Sequence, residues 1–350
     1  MRSAIRRVHL ILALAAGAFL VVAGVSGSIL AFEPELDHLL HARLWYVTPL
    51  GSPKPLTDLA STASLVMPGQ HVTGYVLSVS PDLSYQIVFG GRRVFVNPYT
   101  GKVLGIRDSR PDLLAQVHQL HIRLLVRDQH DTGKLAMKWA GASLLVVVVS
   151  GLYLWWPLKR VTIRTRGGGR RAWFDLHNAV GIVSLAFLLA LSGTGAVIAF
   201  DEWTTPFFYR STRSAPLAVY ARPPEFHVTP SGPPIGPDRA IDVARAALPG
   251  ASPISVNVPG ATDAYSIAAR YPEDLTPGGR SHVWVDQYSG RVLLAESSRT
   301  APVGTRIITL NRAIHTGDVF GIPSKIDMSL ASLAVVMQLV TGLVLWRRRS

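Results

Sequence analysis

Four of the eleven histidines stand in matched pairs, and imidazole is the side chain best suited to hold a transition-metal centre near neutral pH. His9 opens one long apolar run, and His177 opens another 168 residues later. His121 and His315 stand shortly before two further apolar runs, in Leu120-His121 and Ile314-His315. An ionisable side chain at membrane depth is costly and marks a functional site. Two imidazoles on neighbouring helices can ligate haem iron from both faces, which saturates the metal and favours electron transfer. A bare metal ion is the other chemistry open to such pairs. His118 lies one helical turn before His121, on the same face, and is an alternative for that position. Glu35, His38 and His41, together with Asp37, form an acidic and imidazole cluster that reads either as a metal site or as a solvated amphipathic stretch. His71, His130, His227 and His282 show no pairing and read as surface or core residues.

The elements that must position these side chains are four apolar runs, over 8–32, 135–156, 173–200 and 328–346. Each is long enough for a hydrocarbon core that needs about 20 helical residues. The chain is 48% hydrophobic and carries a net charge of +13. That charge is local. Arg2, Arg6 and Arg7, then Lys159, Arg160, Arg164, Arg166, Arg170 and Arg171, then Arg347, Arg348 and Arg349 form three acid-free clusters, while the rest of the chain is close to neutral. All three clusters fall on one side of a four-span protein, so the positive-inside rule predicts both termini in the cytoplasm of a bacterial inner membrane. Sidedness accounts for the charge, which removes the case for nucleic acid. Trp155, Trp156, Trp173, Trp203 and Trp346 stand at span ends, as interfacial rings do. With no cysteine, disulfides, thiolate metal sites and iron–sulfur clusters are excluded. The first run is too long for the apolar region of a signal peptide and is expected to be retained.

The chain reads as two tandem copies. Gly27 to Glu33 follows His9 at the spacing by which Gly195 to Asp201 follows His177. Ser150-Gly151-Leu152-Tyr153-Leu154-Trp155 matches Thr341-Gly342-Leu343-Val344-Leu345-Trp346, and Phe95 to Leu104 resembles Val283 to Val292. The latter two segments predict strand, tight turn at a glycine, strand. Asp238 to Leu248 predicts a short helix opened by a capping aspartate. Pro49 to Pro55, Pro223 to Pro237 and Pro272 to Gly279 predict loops, and Gly167-Gly168-Gly169 a turn. Small residues at Gly24, Gly27, Ser192, Gly193 and Gly195 either let helices approach closely or make room for a flat macrocycle. The predicted fold class is membrane α with α/β: a four-helix transmembrane bundle from two repeats, with two small extracytoplasmic α+β segments. The expected order is span 1–33, outer segment 34–134, span 135–157, basic cytoplasmic loop 158–172, span 173–201, outer segment 202–327, span 328–346 and tail 347–350.

The sequence resembles the PepSY-associated transmembrane family, which includes bacterial ferric-siderophore reductases and iron-regulated membrane proteins. The resemblance covers almost the whole chain. It rests on Arg7-Val8-His9, Leu120-His121-Ile122-Arg123-Leu124, Ser150 to Pro157, Asp175-Leu176-His177-Asn178 with Gly181, Ile314-His315-Thr316-Gly317-Asp318 with Gly321, and Thr341 to Trp346. The chain departs from the family pattern at Leu10-Ile11, where Arg-Trp is usual. The resemblance implies two b-type haems, with His9 and His177 as inner axial ligands and His121 and His315 as outer ones. It also implies PepSY-like outer segments lying over the outer haem, and delivery of electrons to a ferric siderophore or another periplasmic acceptor. No dinucleotide fingerprint is present, so the donor is expected to be a separate flavoprotein or a quinol. Two other readings stay open: a non-catalytic PepSY module that regulates a peptidase, and a metal transporter using His38, His41 and the span histidines.

Overall fold

The computed structural model describes residues 1–108, 112–157, 169–221 and 224–348. Lys159, Arg160, Arg164, Arg166, Gly167, Gly168 and Arg349 lie outside the described residues. The chain divides into a helical unit (Met1–Glu33, Leu113–Phe208 and Ile308–Ser350) and a sheet unit (Pro34–Asp112 and Tyr209–Ile307).

Three helices of the helical unit are long and apolar enough to cross a membrane: Arg2–Leu30, Thr132–Trp155 and Ile322–Arg347. They are the first, second and fourth expected spans. The third is broken into Arg170–Val183 and Leu185–Ala199, bent by 63°, and makes a fourth crossing if the pair is one span. The single third helix expected from its unbroken hydropathy is therefore corrected to two. The break falls at Ser184, whose hydroxyl donates to the Val180 carbonyl at 2.6 Å. A serine bonding back into its own helix, one turn from a glycine (Gly181), is a recognised cause of kinking. The first span packs against the second and fourth, and the third packs against the same two. Its apolar centre is built by Ala16, Leu20, Ala140, Val148, Leu188 and Val335. Two amphipathic lead-in helices, Leu113–Arg123 and Val303–Thr316, precede the second and fourth spans. His121 and His315 ride on them, so these histidines belong to the helical unit and not to the outer segments in which the sequence expectation put them.

The fourth span begins at Ile322, earlier than the apolar run suggests, with a proline in its first turn where the missing N–H costs nothing. Lys325 in that turn is only 5% exposed and pairs with Asp318 at 3.5 Å.

The sheet unit holds one antiparallel sheet of eight strands: β1 (Gly74–Val76), β2 (Tyr85–Phe89), β3 (Arg92–Val96), β4 (Val103–Asp108), β5 (Ser252–Asn257), β6 (Ala264–Arg270), β7 (Ser281–Asp286) and β8 (Val292–Glu296). Its order is β4-β3-β2-β1-β5-β6-β7-β8. The two outer segments are thus halves of a single sheet, joined where β1 pairs β5 with Tyr75 opposite Val256. Pairing there removes what would be an unprotected edge from each half. Alternation along β6 turns Tyr265, Ile267 and Ala269 inward. They meet the helices Leu56–Leu65 and Gly236–Ala247, which present Leu56, Leu59 and Ala63 and Ala240, Ile241 and Ala244 at helical spacing.

The two glycine turns form as expected. Asn97 Oδ1 accepts from the amides of Tyr99 and Thr100 (2.9 and 3.1 Å), and Asp286 Oδ1 from those of Tyr288 and Ser289 (2.8 and 3.2 Å). Gly101 and Gly290 close them at φ +78° and +71°, a conformation glycine adopts without steric cost. Asp238 does not cap its own helix. Its carboxylate accepts from the Leu56 amide at 2.6 Å and the Thr57 amide at 3.1 Å, so it caps the helix contributed by the other half of the sheet unit.

Candidate functional site

Each of the four paired histidines meets a hydroxyl residue followed by a glycine on another helix. His9 Nδ1 lies 2.9 Å from Ser150 Oγ, and His177 Nδ1 lies 2.8 Å from Thr341 Oγ1. His121 Nδ1 lies 3.0 Å from Ser26 Oγ, and His315 Nδ1 lies 3.1 Å from Thr194 Oγ1. The next residues are Gly151, Gly342, Gly27 and Gly195. A Cβ on Gly195 would stand 3.0 Å from the His315 ring, on Gly27 3.2 Å from His121, on Gly151 3.3 Å from His9, and on Gly342 3.8 Å from His177. The hydroxyl grips one ring nitrogen while the glycine leaves space for the ring itself.

The hydroxyls also settle which nitrogen carries the proton. Each has one hydrogen, and each sits against a carbonyl of its own helix: Ser150 on Val147 at 3.0 Å, Thr341 on Met337 at 2.8 Å, Ser26 on Val22 at 2.5 Å and Thr194 on Ala190 at 2.5 Å. At such separations the hydroxyl must donate to the carbonyl, because two oxygens without a hydrogen between them repel. Its lone pairs then accept from the imidazole Nδ1–H. All four imidazoles are therefore the tautomer whose Nε2 holds a free lone pair, the form a metal-ligating histidine takes when its other nitrogen is held by a partner.

His9 and His177 line one cavity of about 220 Å³. At about 30 Å³ per water, that is space for roughly seven waters, far beyond a bare ion. Its walls are leucines, valines, alanine, isoleucine and glycines, with Trp155 and Trp346 among them; the polar wall residues besides the two histidines are Arg6, Asn178 and Gln338. Asn178 Nδ2 donates to the Phe174 carbonyl and Gln338 Nε2 to the His177 carbonyl. Two imidazoles on apolar walls are a poor site for a bare ion, which needs four to six donors, whereas a flat apolar macrocycle could be held by His9 and His177. At the other level stand His121 and His315, held by Ser26 and Thr194. On the first span Ser26 stands seventeen residues beyond His9, about 25 Å of helical rise, so the two pairs occupy different depths of the unit.

His118 turns away from this arrangement and faces Glu33 across 3.5 Å, with nearly half of its side chain exposed. Among the described residues no group of three histidine, aspartate or glutamate side chains that could hold a metal ion is found. His41 bonds Asp37 at 3.0 Å, and His38 packs on Trp45 with ring centroids 4.4 Å apart. Burial pushes the His38 imidazole below its ordinary range, against the opposing pull of Asp37, Glu35 and Asp82. His282 stacks on Trp284 in the sheet unit, while His71 and His130 are exposed.

The small residues divide by task. Gly24 allows helix approach, since a Cβ there would meet the Ser332 carbonyl at 2.7 Å, whereas Gly27 and Gly195 face imidazoles and Gly193 faces open space. Ser26, Ser150, Thr194 and Thr341 were not singled out by sequence reasoning as partners of the histidines. The signal was present as a Ser/Thr-Gly pair on each span, at matching places in the two halves.

Three to four candidate spans and an eight-stranded antiparallel sheet define a membrane protein with a folded sheet unit. A family model, the PepSY-associated TM region, matches residues 6–349. The chain belongs to that family. A search among curated proteins gives no match.

Proposed function

We propose that this chain is a bacterial inner-membrane oxidoreductase that holds two b-type haems in a four-helix bundle of duplicated halves. In this reading it passes electrons outward to a periplasmic ferric acceptor, a siderophore complex or a similar chelate. One observation carries the reading: four imidazoles, two at each of two depths, are each held at Nδ1 by a Ser or Thr hydroxyl on another helix. Four imidazoles held in the same way, at matching places of the two halves, point to a common ligand. His9 and His177 would hold the inner group, and His121 and His315 the outer one. Haem bound in this way supplies a one-electron couple tuned by its axial ligands and its burial.

The protein's part is positional. Ser150, Thr341, Ser26 and Thr194 orient the ligand rings, the glycines beside them set how close the rings approach, and the leucine and valine walls exclude water. The three basic clusters support a cytoplasmic location for the His9 and His177 level, and hence outward transfer. The electron would come from a separate flavoprotein or a quinol, and each one delivered would reduce one ferric ion to ferrous. The chain's membrane helices support a lipid bilayer as its surroundings.

The test is a reduced-minus-oxidised spectrum with haem quantification on the full chain purified in detergent. Two haems per chain are expected in the wild type, one in His177→Ala, one in His315→Ala and two in His118→Ala. Adding imidazole to His177→Gly should restore the lost signal, which separates loss of a ligand from misfolding. A colourless wild type would support the peptidase-regulating or anchor reading instead. Bound metal without haem would support a transporter. Full haem content in both histidine variants would overturn the ligand assignment.

A further inference from the structure

Among the residues that line the inner cavity, Arg6 is the one charged side chain, and no carboxylate stands on the same walls. It lies one helical turn before His9, three residues away on the first span, so the guanidinium and the ligand imidazole share a face. The neighbouring arginines are placed otherwise. Arg2 donates to the Leu154 carbonyl at 2.9 Å, answering one of the unpaired carbonyls at the C-terminal end of the second span. Arg7 is exposed and does not line the cavity. Arg6 has no hydrogen-bond or ion-pair partner among the described residues. An unmatched cation at the mouth of an otherwise apolar cavity complements an amphipathic occupant, one with a flat apolar body and an anionic edge.

We propose that Arg6 binds the carboxylate edge of the macrocycle held between His9 and His177, and so sets which way round that macrocycle lies, with its anionic side toward the end of the cavity where the chain begins. The inference rests on the haem reading above. The shared chemistry is an oxyanion, and a lipid phosphate is the other source of one. The test therefore uses the full chain in a neutral, lipid-free detergent, stripped of haem and reconstituted either with haem or with its dimethyl ester, whose carboxylates are blocked.

Arg6 is exposed, so the expected effect is modest. Arg6→Gln should weaken uptake of one haem about two- to fivefold, in keeping with a solvent-screened ion pair. It should also shift the midpoint potential of that haem alone to more negative values, because a nearby cation favours the form with one fewer positive charge. Arg7→Gln, with the same loss of charge on another face, should do neither. With the dimethyl ester, wild type and Arg6→Gln should bind alike. If Arg6→Gln weakens haem and ester equally, or neither, the carboxylate role of Arg6 is overturned while the haem reading stands. If the wild type takes up neither compound, both fail together.

Discussion

The glycines opposite the four imidazoles form a graded series on which the site can be tested. Alanine in place of a helical glycine ordinarily gains about 0.8–1.0 kcal/mol of helix stability, so without a ring opposite, Gly→Ala on each span should be neutral or stabilising. At Gly342 the new methyl would stand 3.8 Å from the His177 ring, an ordinary van der Waals distance, and the helix term should prevail. At Gly151 and Gly27 the separations fall to 3.3 and 3.2 Å, and at Gly195 to 3.0 Å. A ring pushed aside there must leave its hydroxyl, and if the ring is the ligand proposed above, disturbing that outer partner costs about 10–100-fold in affinity. The rank of lost haem affinity should therefore be Gly195→Ala, then Gly27→Ala and Gly151→Ala close together, with Gly342→Ala unchanged. Haem per chain and the dissociation rate to a competing apoprotein give the order, and thermal melting gives the helix term separately. Equal loss at Gly342 and Gly195, or no loss at any of the four, would refute the claim that these glycines exist to seat the rings.

Two other outcomes follow from the same geometry. Thr341→Val and Ser150→Ala remove the acceptor for Nδ1–H and should loosen the inner haem by about 10–100-fold, whereas Thr341→Ser should keep it, read by dissociation rate and by the axial-ligand spectrum. Asp238→Ala removes the cap on the helix Leu56–Leu65 and should cost the sheet unit about 0.5–2 kcal/mol. Limited proteolysis of the full chain should detect that loss while the haem spectrum stays as in the wild type.

The spans were legible because hydrocarbon thickness sets a length that apolar composition reports directly, and the turns at Asn97 and Asp286 because side-chain acceptors and glycine act within a few residues. The break at Ser184 was hidden: hydropathy runs through it, and a hydroxyl bonding back to Val180 leaves no trace in an average over a window. Asp238 had the right chemistry for a cap, but its target lay in the other half of the chain. The single eight-stranded sheet was hidden for a related reason, since the pairing of β1 with β5 joins segments some 180 residues apart and nothing local specifies it.

What the sequence determined by itself is the family, the spans and the four histidines worth examining, because residue type, length and spacing carry that information along one dimension. Only the tertiary structure decided that Ser26, Ser150, Thr194 and Thr341 each meet the Nδ1 of a histidine on another helix, and that His121 meets Ser26 while His118 meets Glu33. A tautomer is set by what stands within about 3 Å of a ring nitrogen, and at each of these four rings that neighbour comes from a helix far away in the chain.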